Sequence, residues 1–298
     1  MELDDLMFKP GLMRGERILV TGGGTGLGRV MAEAFLLLGS EVYLCGRRAN
    51  VIEDTARDLM GQHGGKVVAL TCDIRQPESI SAMLDTIWAD GGPLTGLVNN
   101  AAGNFISRTE DLSPRAFDAI ESIVLRGSFY VTLECGKRWL AGGHRGNVLS
   151  MLVTWVWNGS AFTVPSAMSK AGLNAMTQSL AVEWGSRGIR LNALAPGYFP
   201  TDSAGARLDP GGELTSQVMG QVPLARHGRM PELANLAAYL MSPGSQYVNG
   251  ETIVIDGGLY PATGGNFAHL RSWGEDEWAR TRQMIDKRNT ADKAQRST

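Results

Sequence analysis

The sequence predicts an α/β protein, a single domain built on one doubly wound sheet of seven parallel strands. Three observations predict it. Seven short apolar β runs are separated mostly by helical patterns, the signature of a parallel sheet covered on both faces. The first run leads straight into a glycine cluster that opens the first helix. The chain has 298 residues, 43% of them hydrophobic, which suits one large sheet and needs no disulfide or structural metal to hold it.

The elements follow in order. Arg17 to Thr21 is the first β run, and a helical pattern from about Leu27 to Leu38 ends at Gly39. Glu41 to Cys45 precedes a helix from about Ala49 to Met60. Lys66 to Thr71 precedes one from about Pro77 to Ala89, where Pro77 suits a first turn. Gly96 to Asn99 is the fourth run, followed by helical segments at about Pro114 to Ser122 and Gly127 to Ala141. Gly146 to Ser150, a helix from about Ser166 to Gly185, and Ile189 to Ala195 come next. A helix from about Pro231 to Met241 and a strand from Thr252 to Ile255 complete the pattern.

The main domain is expected over residues 1–260. Residues 200–222, rich in Gly, Pro and polar side chains, read as a mobile insertion that covers the ligand. Residues 261–298 read as a charged C-terminal extension, helical from about Glu275 to Lys287 and disordered over the last ten residues.

Composition narrows the function. The chain holds 28 Lys+Arg against 30 Asp+Glu, a net charge of -2, and no basic block, so no nucleic-acid partner is expected. Cys45, Cys72 and Cys135 lack metal-ligand spacing, and His63, His144, His227 and His269 are scattered, so no metal is expected. The cysteines read as buried small hydrophobes in a reducing compartment. Met1 to Phe8 carries acids without a long apolar core, and no stretch approaches a membrane span, so a soluble, cytoplasmic protein is expected.

The glycine cluster carries the first chemical signal. Glycines let backbone pass close to a pyrophosphate, and the helix N-terminus offers unpaired N–H groups to it. The spacing is Thr21-Gly22-x-x-x-Gly26-x-Gly28, not the Gly-x-Gly-x-x-Gly of the general dinucleotide fingerprint. The end of the second strand reports which dinucleotide binds. An acid there accepts from the ribose 2′-OH of NAD, but this chain reads Cys45-Gly46-Arg47-Arg48. A guanidinium pairs bidentately with a 2′-phosphate where a carboxylate repels it, which favours NADP(H). Asp73 is expected near the adenine edge, and Asn99-Asn-Ala-Ala-Gly103 on the floor of the cleft.

These segments, with Pro165-Ser-Ala-Met-Ser-Lys170, Pro196-Gly197 and Ile255-Asp-Gly-Gly258, resemble the short-chain dehydrogenase/reductases, a Rossmann-type family, from about residue 10 to 258. Within it the chain looks most like the 2,4-dienoyl-CoA reductases. That resemblance rests on Asn99 to Ser107, Leu112-Ser-Pro114, Ile123-Val-Leu-x-Gly127, Val164-Pro-Ser166, Arg207-Leu-Asp-Pro210 and Glu232 to Ala237. The cofactor contacts it implies are Gly22, Thr25, Gly26, Leu27, Gly28, Arg47, Arg48, Asp73, Ile74, Asn99, Ala101, Gly103, Lys170, Pro196, Gly197 and Thr201. It also implies a homo-oligomer, commonly a tetramer, joined through the helices at about 127–141 and 166–185.

The chain departs from the family where chemistry is done. Most members place a tyrosine four residues before the lysine; here Ser166 stands before Lys170, as in the dienoyl-CoA reductases. The mitochondrial type of that enzyme has its tyrosine fifteen positions before the lysine, where this chain has Trp155. The asparagine of the family's Val-Leu-Asn-Gly segment is replaced by Arg126. Reducing a conjugated thioester needs donors that hold an enolate oxygen, and an indole N–H and a guanidinium both qualify. Protonating an alkoxide during carbonyl reduction needs an acid, which Ser166 supplies only with help from Lys170 and water. Lys170, Ser166, Arg126 and Trp155 are therefore the candidate catalytic residues. Asn104, Phe105, Trp155, Trp157, Tyr198 and Phe199 are candidates for the substrate wall. The leading expectation is an NADPH-dependent reductase of an unsaturated acyl-CoA. An NADP(H)-dependent carbonyl or alcohol oxidoreductase on a hydrophobic or CoA-linked substrate stays open, as does a dinucleotide-binding protein with weak or no catalysis.

Overall fold

The computed structural model describes residues 1–201, 220–264 and 266–296. Seven parallel strands form one sheet: β1 (Arg17–Thr21), β2 (Glu41–Gly46), β3 (Val67–Thr71), β4 (Gly96–Asn99), β5 (Gly146–Met151), β6 (Ile189–Pro196) and β7 (Thr252–Ile255). Their spatial order is β3-β2-β1-β4-β5-β6-β7, with every neighbouring pair parallel. The main helices are α1 (Gly26–Leu37), α2 (Ala49–His63), α3 (Pro77–Ala89), α4 (Pro114–Glu121), α5 (Ser128–Gly142), α6 (Trp155–Asn158), α7 (Val164–Gly185), α8 (Met230–Met241), α9 (Leu259–Thr263) and α10 (Glu275–Arg296).

The central strands are mostly apolar because both of their faces are covered. Successive side chains of β1 alternate, so Ile18 and Val20 join Met31 and Phe35 of α1 and Leu233 and Ala237 of α8 on one face. Leu19 points the other way, to a layer holding Ile80 and Leu84 of α3, Val131, Cys135 and Trp139 of α5, and Trp184 of α7. The two layers sandwich the sheet. All three cysteines are free and buried.

The chain leaves β1 toward β2 on one side, while β4 lies on the other. Such a reversal opens a crevice beyond the carboxyl ends of the strands, where open α/β sheets take their ligands. Between α4 and α5 the helix widens into a π turn over Ser122–Gly127, so the two segments expected separately run on from one another. Two compact units are formed, Met1–Gly257 and Gly258–Thr298. In the second, Trp273 and Trp278 stack edge to face at 5.1 Å. The sequence predicts disorder over the last ten residues, but α10 runs to Arg296. Its first turn holds Glu275, Asp276 and Glu277, a favourable placement against the helix dipole, and Glu277 pairs with Arg280. Among the described residues, no helix is long and apolar enough to cross a membrane and no cluster could hold a metal ion.

Candidate active site

The glycine loop is built by a latch between β1 and β4. The Thr21 hydroxyl accepts the N–H groups of Asn100 at 3.0 Å and Ala101 at 3.1 Å and donates to the Val98 carbonyl. In return the Asn100 amide donates to the carbonyls of Thr21 and Gly22. This packing leaves no room for a side chain: a Cβ on Gly28 would lie 2.4 Å from Asn100 Nδ2 and 2.6 Å from the Gly22 oxygen. Thr25, the N-cap of α1, is extended and supplies no side-chain cap. The first-turn N–H groups of Gly26, Leu27 and Gly28 are thus left to a ligand, and a bare backbone cradle at a helix N-terminus fits a pyrophosphate.

Asn99 and Asn100 divide the work that the sequence assigned to the segment as a whole. Asn99 is 1% exposed, and its amide donates to Thr132 Oγ1 of α5 at 2.8 Å, while its buried Oδ1 has no partner among the described residues. Gly103 lies close to Ile120. At the end of β2, Arg47 and Arg48 are both exposed. Asp73 is gripped by Arg75, whose Nε lies 2.9 and 3.0 Å from the two carboxylate oxygens. Arg75 holds the Asp73 carboxyl below the usual carboxylate range, and Arg47 adds to the pull. Arg75 was not among the expected site residues; the acid two positions before it is the only signal in the sequence. Ile74 is buried against Gly127.

Ser166 and Lys170 lie one turn apart on α7, whose first turn holds Pro165. Both are buried, 4% and 5% exposed. The Lys170 ammonium donates to the Met151 carbonyl at the end of β5. Burial lowers its pKa from 10.5 to about 8. Trp155 opens α6 and is half-buried; neither its indole N–H nor the Ser166 hydroxyl has a hydrogen-bond partner among the described residues.

Arg126 lies elsewhere. Its neighbour Leu125 packs against Gly172 of α7 and Gly127 packs against Ile74, which leaves Arg126 to turn outward. Its guanidinium stands 3.6 Å from Glu121 in a groove shared with Phe129, Tyr130, Met176 and Leu180.

Of the candidate substrate-wall residues, Phe105 is half-buried against the cluster that includes Leu152 and Leu173, and the side-chain oxygen of Asn104 accepts the Phe105 N–H. Trp157 is 43% exposed. Phe199 is only 6% exposed and fills space that a Cβ on Gly228 would need, so it is packing and not an open wall. Tyr198 and Phe199 share a small cavity with Val222, Arg226 and Glu232. Arg226 chelates Glu232 at 2.8 and 2.7 Å and pulls that carboxyl down to about 2. Pro196 ends β6, and Gly197 lies against Asp256. Thr201 is half-buried; the expected insertion beyond it, with Arg207 to Pro210, falls largely outside the described residues.

A family model described as "Enoyl-(Acyl carrier protein) reductase" matches residues 22–260. A Caenorhabditis elegans protein named "Probable 2,4-dienoyl-CoA reductase 3 [(3E)-enoyl-CoA-producing]" is 39% identical over 292 residues, 96% of this chain and 94% of its own. One from Bacillus subtilis named "Probable 2,4-dienoyl-CoA reductase [(2E)-enoyl-CoA-producing]" is 37% identical, covering 83% of this chain and 98% of its own. The crystal structure of a short chain dehydrogenase from Bacillus anthracis superposes with a TM-score of 0.76 at 36% identity, covering 83% of this chain and 98% of its own.

Proposed function

The chain belongs to the short-chain dehydrogenase/reductase family, and from that premise we propose that it is an NADPH-dependent reductase of an unsaturated acyl-CoA, of the 2,4-dienoyl-CoA reductase kind. One observation supports the reading: Ser166 and Lys170 are both buried, one turn apart on α7, with no phenol at position 166 or 155, and the Trp155 indole on the neighbouring α6 has no hydrogen-bond partner among the described residues. That set offers hydrogen-bond donors without a ready acid, which suits an enolate more than an alkoxide.

The cofactor, when bound, supplies the hydride that goes to a substrate carbon. Gly26, Leu27 and Gly28 would hold its pyrophosphate through their N–H groups, and the exposed Arg47 and Arg48 would recognise a 2′-phosphate. Lys170, fixed by the Met151 carbonyl, would hold the nicotinamide ribose and supply a positive charge to the site. Trp155 Nε1 and the Ser166 hydroxyl would donate to the thioester oxygen as charge develops there, and the proton that completes the reduction would reach carbon from water. Arg126, paired with Glu121 in its own groove, is left out of this set. The same groove, between α5 and α7, is where we place the contacts of a homo-oligomer, a tetramer by family analogy, and we assign the protein to the cytoplasm.

The test is NADPH oxidation with 2,4-dienoyl-CoA against 3-ketoacyl-CoA. Turnover of the dienoyl thioester at a rate at least about tenfold above the ketoacyl one is expected, a difference of about 1.4 kcal/mol in barrier. Preference for the ketoacyl substrate returns the protein to the carbonyl reductases. In the same assay Arg47→Ala should raise KM for NADPH about tenfold or more while leaving NADH little changed; equal effects on the two would overturn the NADPH assignment.

A further inference from the structure

Arg75 encloses the Asp73 carboxylate from three directions. Its Nε lies 2.9 and 3.0 Å from the two oxygens, its Nη2 lies 2.5 Å from Oδ2, and its backbone N–H donates to Oδ1 at 3.1 Å. A carboxylate offers about four lone-pair sites, and these four contacts fill them. The Asp73 N–H in turn donates to Ser79 Oγ at 3.2 Å, which fixes the acid to α3. The pair lies outside both the glycine cradle and the Ser166 centre.

It stands instead beside the end of β2. Strand pairing runs on past Gly46 and Thr71, which lie opposite one another, because the Cys72 N–H donates to the Gly46 carbonyl at 3.0 Å. That bond brings Arg47 level with Cys72 and next to Asp73, across one strand spacing of about 5 Å. The proximity shows in charge: Arg75 first, and Arg47 with it, holds the Asp73 carboxyl below the usual carboxylate range. Arg47 is exposed and has no salt-bridge partner among the described residues. In an open α/β fold the end of β2 is where the adenosine ribose is read, and an arginine there accommodates a 2′-phosphate. Without Arg75, an ionised Asp73 would compete for Arg47 and set a negative charge against that phosphate. The uncharged 2′-hydroxyl of NADH would be spared.

We propose that Arg75 is a specificity-determining residue for the dinucleotide: by occupying the Asp73 carboxylate it leaves Arg47 to the 2′-phosphate and favours NADPH over NADH. The proposal rests on the NADPH reading above. Arg75 acts through Asp73 and Arg47, as a positioning residue, and does not touch the nucleotide.

A double-mutant cycle on the full chain tests this, with Kd for NADPH and NADH measured by calorimetry in about 0.01 M salt, where charges act over about 30 Å. Arg75→Gln should weaken NADPH about fivefold or more and NADH less than about twofold. In an Asp73→Asn background the same change should weaken NADPH less than about twofold, because the charge that Arg75 offsets is gone. In about 1 M salt, where screening shortens that reach to about 3 Å, the loss in the single variant should shrink. Both side chains reach solvent, at 36% and 26% exposed, so the variants should fold. An equal loss with and without the Asp73 charge would put Arg75 on the nucleotide itself and overturn the proposal. Equal losses for NADPH and NADH would make Arg75 a general support of the adenine end and overturn it too. A wild type that binds NADH as tightly as NADPH removes the NADPH reading and this proposal together. If Arg47→Ala separates the two nucleotides and Arg75→Gln does not, the reading stands and the role of Arg75 falls.

Discussion

Lys170 shows how far a single side chain can be moved by its surroundings. It sits 5% exposed, with the Met151 carbonyl as its partner, and burial brings its pKa from 10.5 to about 8. Desolvation disfavours the charged form, so between about pH 8 and 10.5 the unfolded chain binds the proton that the folded one has released. Stability relative to Lys170→Met should therefore rise as pH climbs through that window and stay level below it, which thermal melts at stepped pH will show. In the same range kcat/KM should fall, since the ammonium is lost. The pair Ser166 and Lys170 was legible only through the family's pattern of a residue four before the lysine, a spacing that puts both on one face of α7. Asn100 was not: two adjacent asparagines look alike until the register sends Asn99 to Thr132 and leaves Asn100 past the strand end, against Gly22. Arg126 was placed at the reacting centre by its family segment; Leu125 and Gly127 pack on either side of it, and its guanidinium stands 3.6 Å from Glu121.

Among the elements, α1 carries the most function per residue. Its N-terminus has no side-chain cap, and Gly28 in its first turn is tight against Asn100 and Gly22. Gly28→Ala should push the latch apart and weaken NADPH binding by tenfold or more, with a loss of stability of about 1–3 kcal/mol, read by calorimetry and chemical denaturation. An alanine variant with wild-type affinity would separate the latch from the cofactor. Strand positions were readable because apolar runs ended at Gly22, Gly46 and the polar residues after Asn99. Helix ends were less so. The helix expected to end at about Met60 continues to His63, since the exposed Gly61 within it costs only about 1 kcal/mol. The π turn at Ser122–Gly127 left no trace in the apolar periodicity, because it shifts the phase by only one residue.

For the molecule as a whole, the seven parallel strands followed from alternation of strand and helix, but their order β3-β2-β1-β4-β5-β6-β7 did not, and the sequence said little about the tail. Gly258–Thr298 forms a unit of its own with its own aromatic stack. The glycine cradle, Arg47, Arg48, Ser166, Lys170 and Trp155 all belong to Met1–Gly257. A chain ending at residue 260 should consequently keep its affinity for NADPH within about threefold, as measured by calorimetry. A tenfold loss would make the tail part of the binding competence of the fold. The latch from Thr21 to Asn100 has a wider consequence. It joins the two sides of the crevice with hydrogen bonds made wholly within the polypeptide. The backbone that faces the phosphates is thus held by the same bonds that close β1 onto β4, so a substitution that loosens this seam costs the fold and the nucleotide site together.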